Sequence, residues 1–308
     1  MQPALLDALQ KTLAGHPALG EPRDWRSQAV GGGSINTAFQ VTTRDGNRWF
    51  CKFNDAGRYP GLFGAEKRGL EWLGMQRIIR VPSVLACTEV NDTEVAGTPV
   101  LDARVTGTQV LVLEWIDQGV RSAGFWKAFG AQLARLHRVT RPDFGLDLDN
   151  YMGSLPQDNT PAADWNAFFR DRRLRPQVRL AEEKGLLSVN AIRQFDRLYE
   201  RLADFFPPEP PALLHGDLWS GNFLCDATAR PVLIDPAVYF GHRSVDLAMT
   251  TLFGGFEPAF YEAYDWHYPF PPGYREQWEI ANLYPLLVHL NLFGIGYLRN
   301  ILHTIQRF

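Results

Sequence analysis

The stretch that decides the reading is His215-Gly-Asp-Leu-Trp-Ser-Gly-Asn222, followed by Ile234-Asp235-Pro236. Asp217 and Asn222 are five residues apart, and Asp235 lies eighteen beyond Asp217 at the end of a short apolar strand. Moving a phosphoryl group requires a carboxylate beside the attacking hydroxyl and hard oxygen ligands for Mg2+ on the phosphates. Asp217 suits the first role, and Asn222 with Asp235 the second. Taken alone, the same residues also read as two surface turns, Gly-Asp and Ser-Gly-Asn. An aspartate at a strand end rather than in a polar loop weighs against that.

Upstream, the chain supplies what such a loop would need. Gly31-Gly32-Gly33-Ser34, in the run Gly31–Asn36, lies between two strand-like segments and resembles a phosphate-covering turn, where glycine lets backbone amides approach an anion. No Gly-Lys-Ser/Thr follows, so it is not a Walker A loop. Lys52 sits in an apolar strand, between Cys51 and Phe53. Glu66 shares a helix face with Leu62, Leu70 and Leu73, where an unpaired carboxylate would be costly. Pairing Lys52 with Glu66 resolves both, although Glu66 could instead reach solvent. The order is then a Gly-rich hairpin, a strand lysine, a helix glutamate, an apolar strand, and the Asp, Asn and Asp of a kinase catalytic loop.

Composition sets the frame. The 308 residues carry a net charge of -3, with 45% apolar and 21% charged residues and no polybasic run, which argues against a nucleic-acid partner. Cys51, Cys87 and Cys225 are far apart and form no CxxC pair, which fits a reducing, cytoplasmic setting. Leu5, Leu6, Leu9 and Leu13 predict an amphipathic helix rather than a leader, and Ala281–Leu298, containing Asn282, Pro285, His289 and Asn291, predicts a core helix rather than a membrane span.

Strands are expected over Ala38–Thr43 and Arg48–Phe53, joined at Asp45-Gly46, and over Val110–Glu114; Pro82–Val90 and Gly97–Asp102 read as strands or loops. Helices are expected over Phe125–Val139, Ala163–Glu183 and Val189–Phe206. Two short strands follow near Phe223–Cys225 and Val232–Ile234, and helices resume beyond Arg243, interrupted by the aromatic and proline-rich Tyr261–Pro272. The expected fold is α+β and bilobal, with a β-rich lobe over 1–117, a connector near Glu114–Asp117, and a mainly α-helical lobe over 118–308.

The sequence resembles the fructosamine kinase family (fructosamine/ketosamine-3-kinases), relatives of the aminoglycoside and choline kinases with a protein-kinase-like fold. GGGSINTAF, Tyr59–Phe63, LLHGDLWSGN, Asp235–Met249, Phe253–Phe256 and Leu283–Gly294 carry the likeness, and Trp219-Ser220 discriminates it from aminoglycoside kinases. The resemblance implies an ATP- and Mg2+-dependent kinase with Asp217 as catalytic base and Asn222 and Asp235 as metal ligands. It puts Gly32, Gly33, Ser34, Asn36, Lys52 and Glu66 at the nucleotide, and Glu114, Trp115 and Ile116 at the adenine-facing hinge. His215 and Asp246 would support the loop. The implied acceptor is a ketosamine, as a small molecule or on a glycated lysine. Read from its position beside Asp217, Trp219 stacks on the sugar or the lysine stem, or else it packs in the core or at the rim. The aromatic segment Tyr261–Tyr274 is a further candidate for the acceptor pocket, or else packing. Gly64 could loosen the first turn of its helix. A kinase of the aminoglycoside or choline type is the alternative, and a nucleotide-binding pseudokinase is a rival from another class; the present lysine, base and metal residues weigh against the latter.

Overall fold

A computed structural model of the chain describes residues 1, 3–15, 19, 25–31, 36–90 and 107–308. They fall into two compact units, Met1–Glu71 with Val81–Gln118, and Trp72–Arg80 with Gly119–Phe308.

The first unit is built on one antiparallel sheet of five strands, in the order β1 (Arg26–Val30), β2 (Thr37–Thr42), β3 (Arg48–Asp55), β5 (Thr108–Glu114) and β4 (Val84–Val90). Asp45-Gly46 makes the β2–β3 turn: Gly46 adopts φ +82°, and Thr43 Oγ1 accepts from the Asn47 amide at 3.0 Å. Strand alternation then divides β3 into two faces. Trp49, Cys51 and Phe53 join Leu5, Leu9, Leu13, Phe39 and Val41 in the core under helix α1 (Pro3–Thr12). Burying each large apolar side chain there is worth about 1.5–3 kcal/mol. Lys52 and Asn54 lie on the other face. Helix α2 (Leu62–Met75) runs unbroken through Gly64 and buries Leu62, Glu66, Leu70 and Leu73. The expected strand Gly97–Asp102 lies outside the described residues.

In the second unit, Ser122 caps α3 (Ala123–Leu136), its Oγ accepting from the Phe125 amide at 3.3 Å. Helix α3 lies so close to α8 (Pro258–His267) that a Cβ on Gly130 would stand 2.1 Å from the Phe260 carbonyl oxygen. Three two-stranded pairings follow: β6 (Asn150–Met152) with β7 (Leu155–Gln157), β8 (Ala212–Leu214) with β11 (Tyr239–Gly241), and β9 (Phe223–Cys225) with β10 (Pro231–Leu233). Helices α6 (Val189–Phe205), α7 (Ser244–Leu252), α9 (Tyr274–Ala281), α10 (Leu283–Phe293) and α11 (Leu298–Ile305) also belong to the unit. No helix among the described residues is long and apolar enough to cross a membrane.

Two helical expectations need correction. The span Ala163–Glu183 is not one α-helix: α4 (Trp165–Phe168) passes into a π-helical segment, Phe169–Leu174, before α5 (Arg175–Glu183). Pro176 has no N–H to give the Arg172 carbonyl, which instead accepts from the Arg173 guanidinium at 3.1 Å. The aromatic stretch from Tyr261 does not interrupt the helices as a whole, because its first half is α8.

Candidate active site

The His215–Asn222 loop leaves β8 and enters β9, so short strands fix both of its ends. Gly216 adopts φ +85°, and a Cβ there would fall 2.0 Å from the Ala237 carbonyl oxygen, so glycine is required. The loop closes on itself through Trp219 N to Asp217 O at 3.2 Å and Asn222 N to Trp219 O at 3.0 Å. It is tied to the Asp235 segment by Ile234 N donating to Asn222 O at 3.0 Å and by His215 Nε2 to Ile234 O at 2.9 Å. His215 Nδ1 accepts from the Asp217 amide at 3.2 Å. These partners suit one neutral tautomer, and burial holds the imidazole below its ordinary range.

Asp217 and Asn222 meet directly. Asn222 Nδ2 donates to Asp217 Oδ2 and to Asp217 O, both at 2.8 Å. Asp217 is half-buried, and the protein packed around its carboxyl pushes its pKa up to about 7. The bond from Asn222 opposes that rise, and the nearby Asp235 and Asp246 carboxylates add to it. The result is a carboxylate poised near neutrality.

Asp235 has φ +54°, a left-handed backbone uncommon for a residue with a Cβ, and the sequence carried no sign of it. The donor set fits a divalent ion of the magnesium type. It offers the Asp235 carboxylate and the Asn222 Oδ1, whose amide nitrogen is already engaged. Among the described residues no group of three or more His, Cys, Asp or Glu could hold a metal. An ion shared with substrate phosphates needs no such cage.

Asp246, on α7, accepts from the His215 amide at 2.7 Å through Oδ2 and from the Gly216 amide at 2.9 Å through Oδ1. Behind it stand His137, which the sequence reading missed, and Tyr264, which it had considered only for the acceptor pocket or packing. His137, at the end of α3, reaches Asp246 Oδ2 at 3.2 Å with Nε2 and the Tyr264 hydroxyl at 2.8 Å with Nδ1. Neither neighbours the loop in sequence, so only the α3–α8 packing brings them in. Tyr264 belongs to the aromatic segment considered for the acceptor pocket, but it is fully buried and its ring lies 5.4 Å from that of Phe270. Tyr261 bonds Thr250 at 3.0 Å. These two rings pack.

Trp219 is different. Its ring folds over Gly221, where a Cβ would come within 2.3 Å of it, and it meets Phe253 edge-on at 5.7 Å. Phe253 touches His289 at 5.1 Å, and His289 touches Phe293 at 5.5 Å and Tyr297 at 5.0 Å. Phe253 and Phe293 are 39% and 49% exposed, so a partly open aromatic row begins at the loop.

In the first unit, Lys52 Nζ donates to Glu66 Oε1 at 2.8 Å, and both side chains are buried. Glu114 Oε2 accepts from the Ser83 amide at 3.1 Å, Trp115 Nε1 donates to Asp117 Oδ1 at 3.3 Å, and Ile116 is buried. Asn36 begins the approach to β2, and its Oδ1 accepts from Asn54 Nδ2 at 3.4 Å. Gly32, Gly33 and Ser34 lie outside the described residues.

Comparison with known proteins points one way. The family described as fructosamine kinase matches residues 14–308. A "Probable ketoamine kinase" of Lactiplantibacillus plantarum is 40% identical over 272 residues, covering 88% of this chain and 89% of its own. The chloroplastic protein-ribulosamine 3-kinase of Arabidopsis thaliana is 38% identical over 274 residues, covering 87% of this chain and 78% of its own. Among solved structures, a chain from Thermobifida fusca assigned as a fructosamine-3-kinase superposes with a TM-score of 0.78 at 34% identity, over 91% of this chain and 92% of its own. The fold is the α+β, protein-kinase-like one.

Proposed function

The chain belongs to the fructosamine kinase family, and we propose that it transfers the γ-phosphate of ATP to the sugar 3-hydroxyl of ketosamines. The acceptors would be ribulosamine, erythrulosamine or fructosamine adducts of small amines or of protein lysines. Phosphorylation at the third sugar carbon destabilises the adduct and releases the amine, so the reaction would act as deglycation. The three free cysteines suit a cytoplasmic setting. No nucleic acid or membrane is part of this reading.

The observation that carries it is the Asp217 carboxylate held by Asn222 at 2.8 Å in a loop whose backbone Asp246 braces. As the acceptor oxygen bonds to the γ-phosphorus and the bond to the β-phosphate oxygen breaks, the hydroxyl proton passes to Asp217 and ADP leaves. Asn222 pins one carboxylate oxygen, which orients the base. His215 and Asp246 hold the loop backbone from behind. Magnesium supplies charge neutralisation on the phosphates when bound, and Asn222 and Asp235 are the residues that would hold it. Lys52, oriented by Glu66, would take the α- and β-phosphates, with Gly32, Gly33, Ser34 and Asn36 over the phosphates and Glu114, Trp115 and Ile116 against the adenine. Trp219, at the head of the aromatic row, would flank the sugar.

An acceptor screen tests the reading. ADP release is followed with ribulosamine and fructosamine derivatives, with aminoglycosides and with choline. Turnover confined to ketosamines is expected. Preference for an aminoglycoside or choline would transfer the chain to that alternative, and ATP binding without ADP release on any ketosamine would make it a pseudokinase.

A further inference from the structure

Beside Lys52 the first unit holds a row of amide side chains. Asn54 follows Lys52 by two residues on β3, so both point to the face opposite the α1 core. Its strand neighbour on one side is Gln109 of β5, and on the other Asn36, one residue before the Thr37–Phe53 pair. Gln109 uses both ends of its amide: Oε1 accepts from Phe63 N at 3.3 Å and Nε2 donates to Tyr59 O at 3.0 Å, which anchors the start of α2. Asn54 does not. It is 6% exposed, its Nδ2 makes one long bond to Asn36 Oδ1 at 3.4 Å, and among the described residues its buried Oδ1 has no hydrogen-bond partner.

A buried amide oxygen left without a donor costs stability. An apolar side chain would remove that cost, and the opposite face of the same strand carries Trp49, Cys51 and Phe53. An amide that completed α2 would be satisfied, as Gln109 is. The unspent acceptor is explained if its donor arrives with a ligand. On the kinase reading, that ligand would be the polyphosphate end of ATP, which Lys52, two residues away on the same face, would hold. Phosphate oxygens are themselves acceptors, so the donor is water carried on the hydrated divalent ion of the nucleotide. We propose that Asn54, steadied by Asn36, is a further nucleotide-binding residue whose Oδ1 accepts from the water shell of metal-bound ATP. The inference rests on the kinase reading above.

The test uses the full chain, with Asn54→Leu and, should that variant fail to fold, Asn54→Ala. Two quantities are read: the melting temperature without ligand, and the Kd of a nonhydrolysable ATP analogue by calorimetry, with magnesium and with EDTA. Asn54→Leu is expected to melt at or above the parent temperature while binding the magnesium–nucleotide about tenfold more weakly, a difference that shrinks in EDTA. An unchanged Kd overturns the inference whichever way the melting temperature moves. Weakening of equal size in EDTA overturns it too, because the donor would then not be metal-bound water. A parent protein that binds no nucleotide would instead sink the kinase reading itself, so the two failures are distinguishable.

Discussion

In its proposed role, Asp217 combines two properties that oppose each other. A base must be ionised at working pH, yet burial makes ionisation costly. With burial holding the native pKa at about 7 in the metal-free protein, the kcat/KM for the acceptor should rise with pH and reach its plateau by pH 7; a profile that falls as pH rises from 5.5 to 7 would remove Asp217 from the base role. The same shift has a consequence for stability. The native state keeps the proton up to about pH 7, whereas the unfolded chain loses it near 3.8. The stability linked to that proton is therefore complete below 3.8 and lost as pH rises through 7. Asp217→Asn should then raise the melting temperature at pH 8 by more than it does at pH 5, while kcat falls by roughly 10²–10⁴-fold. Scanning calorimetry at the two pH values, with steady-state kinetics, checks both. A variant that melted lower at pH 8 would contradict the linkage.

The π-helical segment and its neighbours hold a charge that the sequence could not reveal. Arg173 is completely buried. It donates to Asn159 Oδ1 at 2.6 Å, and its guanidinium lies 4.1 Å from the Tyr239 ring centre and 4.6 Å from that of Phe168. Arginine is rarely buried, and the sequence around Arg173 gives no reason to expect otherwise of it. The widened turn before Pro176 and the distant Tyr239 decide otherwise, and neither effect is local. By contrast β2, β3, β5 and α2 were legible because turn chemistry and periodicity act within a few residues, and Asp45-Gly46 announces its hairpin directly. The role of Arg173 depends on a flat ion with several donors. Arg173→Lys keeps the charge and loses both the stacking and the second donor arm, so it should destabilise the fold by about 1–3 kcal/mol. Chemical denaturation of the variant measures this, and a midpoint equal to the parent's would show that the cage is incidental.

The loop residues and the lysine–glutamate pair belong to different compact units, with Lys52 and Glu66 in the first and Asp217, Asn222 and Asp235 in the second. Much of the candidate site was legible because each unit carries its residues on a short local signature: a charge misplaced in an apolar strand and helix in one, an Asp-Asn pair five apart in the other. What could not be read were His137 and Tyr264 behind Asp246, since α3 and α8 meet only in the folded chain. If each signature serves one substrate, variants should separate by what they disturb. Lys52→Ala should raise the Kd for ATP by about tenfold or more, because the cation on the phosphates is lost. Asp217→Asn should leave that Kd nearly unchanged, because the base acts on the acceptor proton. Asp235→Asn should bind ATP but need more magnesium for half-maximal rate, because a charged ligand becomes neutral. Calorimetry with nucleotide and a magnesium titration of the rate separate the three. Should Lys52→Ala bind ATP as tightly as the parent while Asp217→Asn does not, the assignment of nucleotide to the first unit's residues and of acceptor chemistry to the second's would have to be reversed.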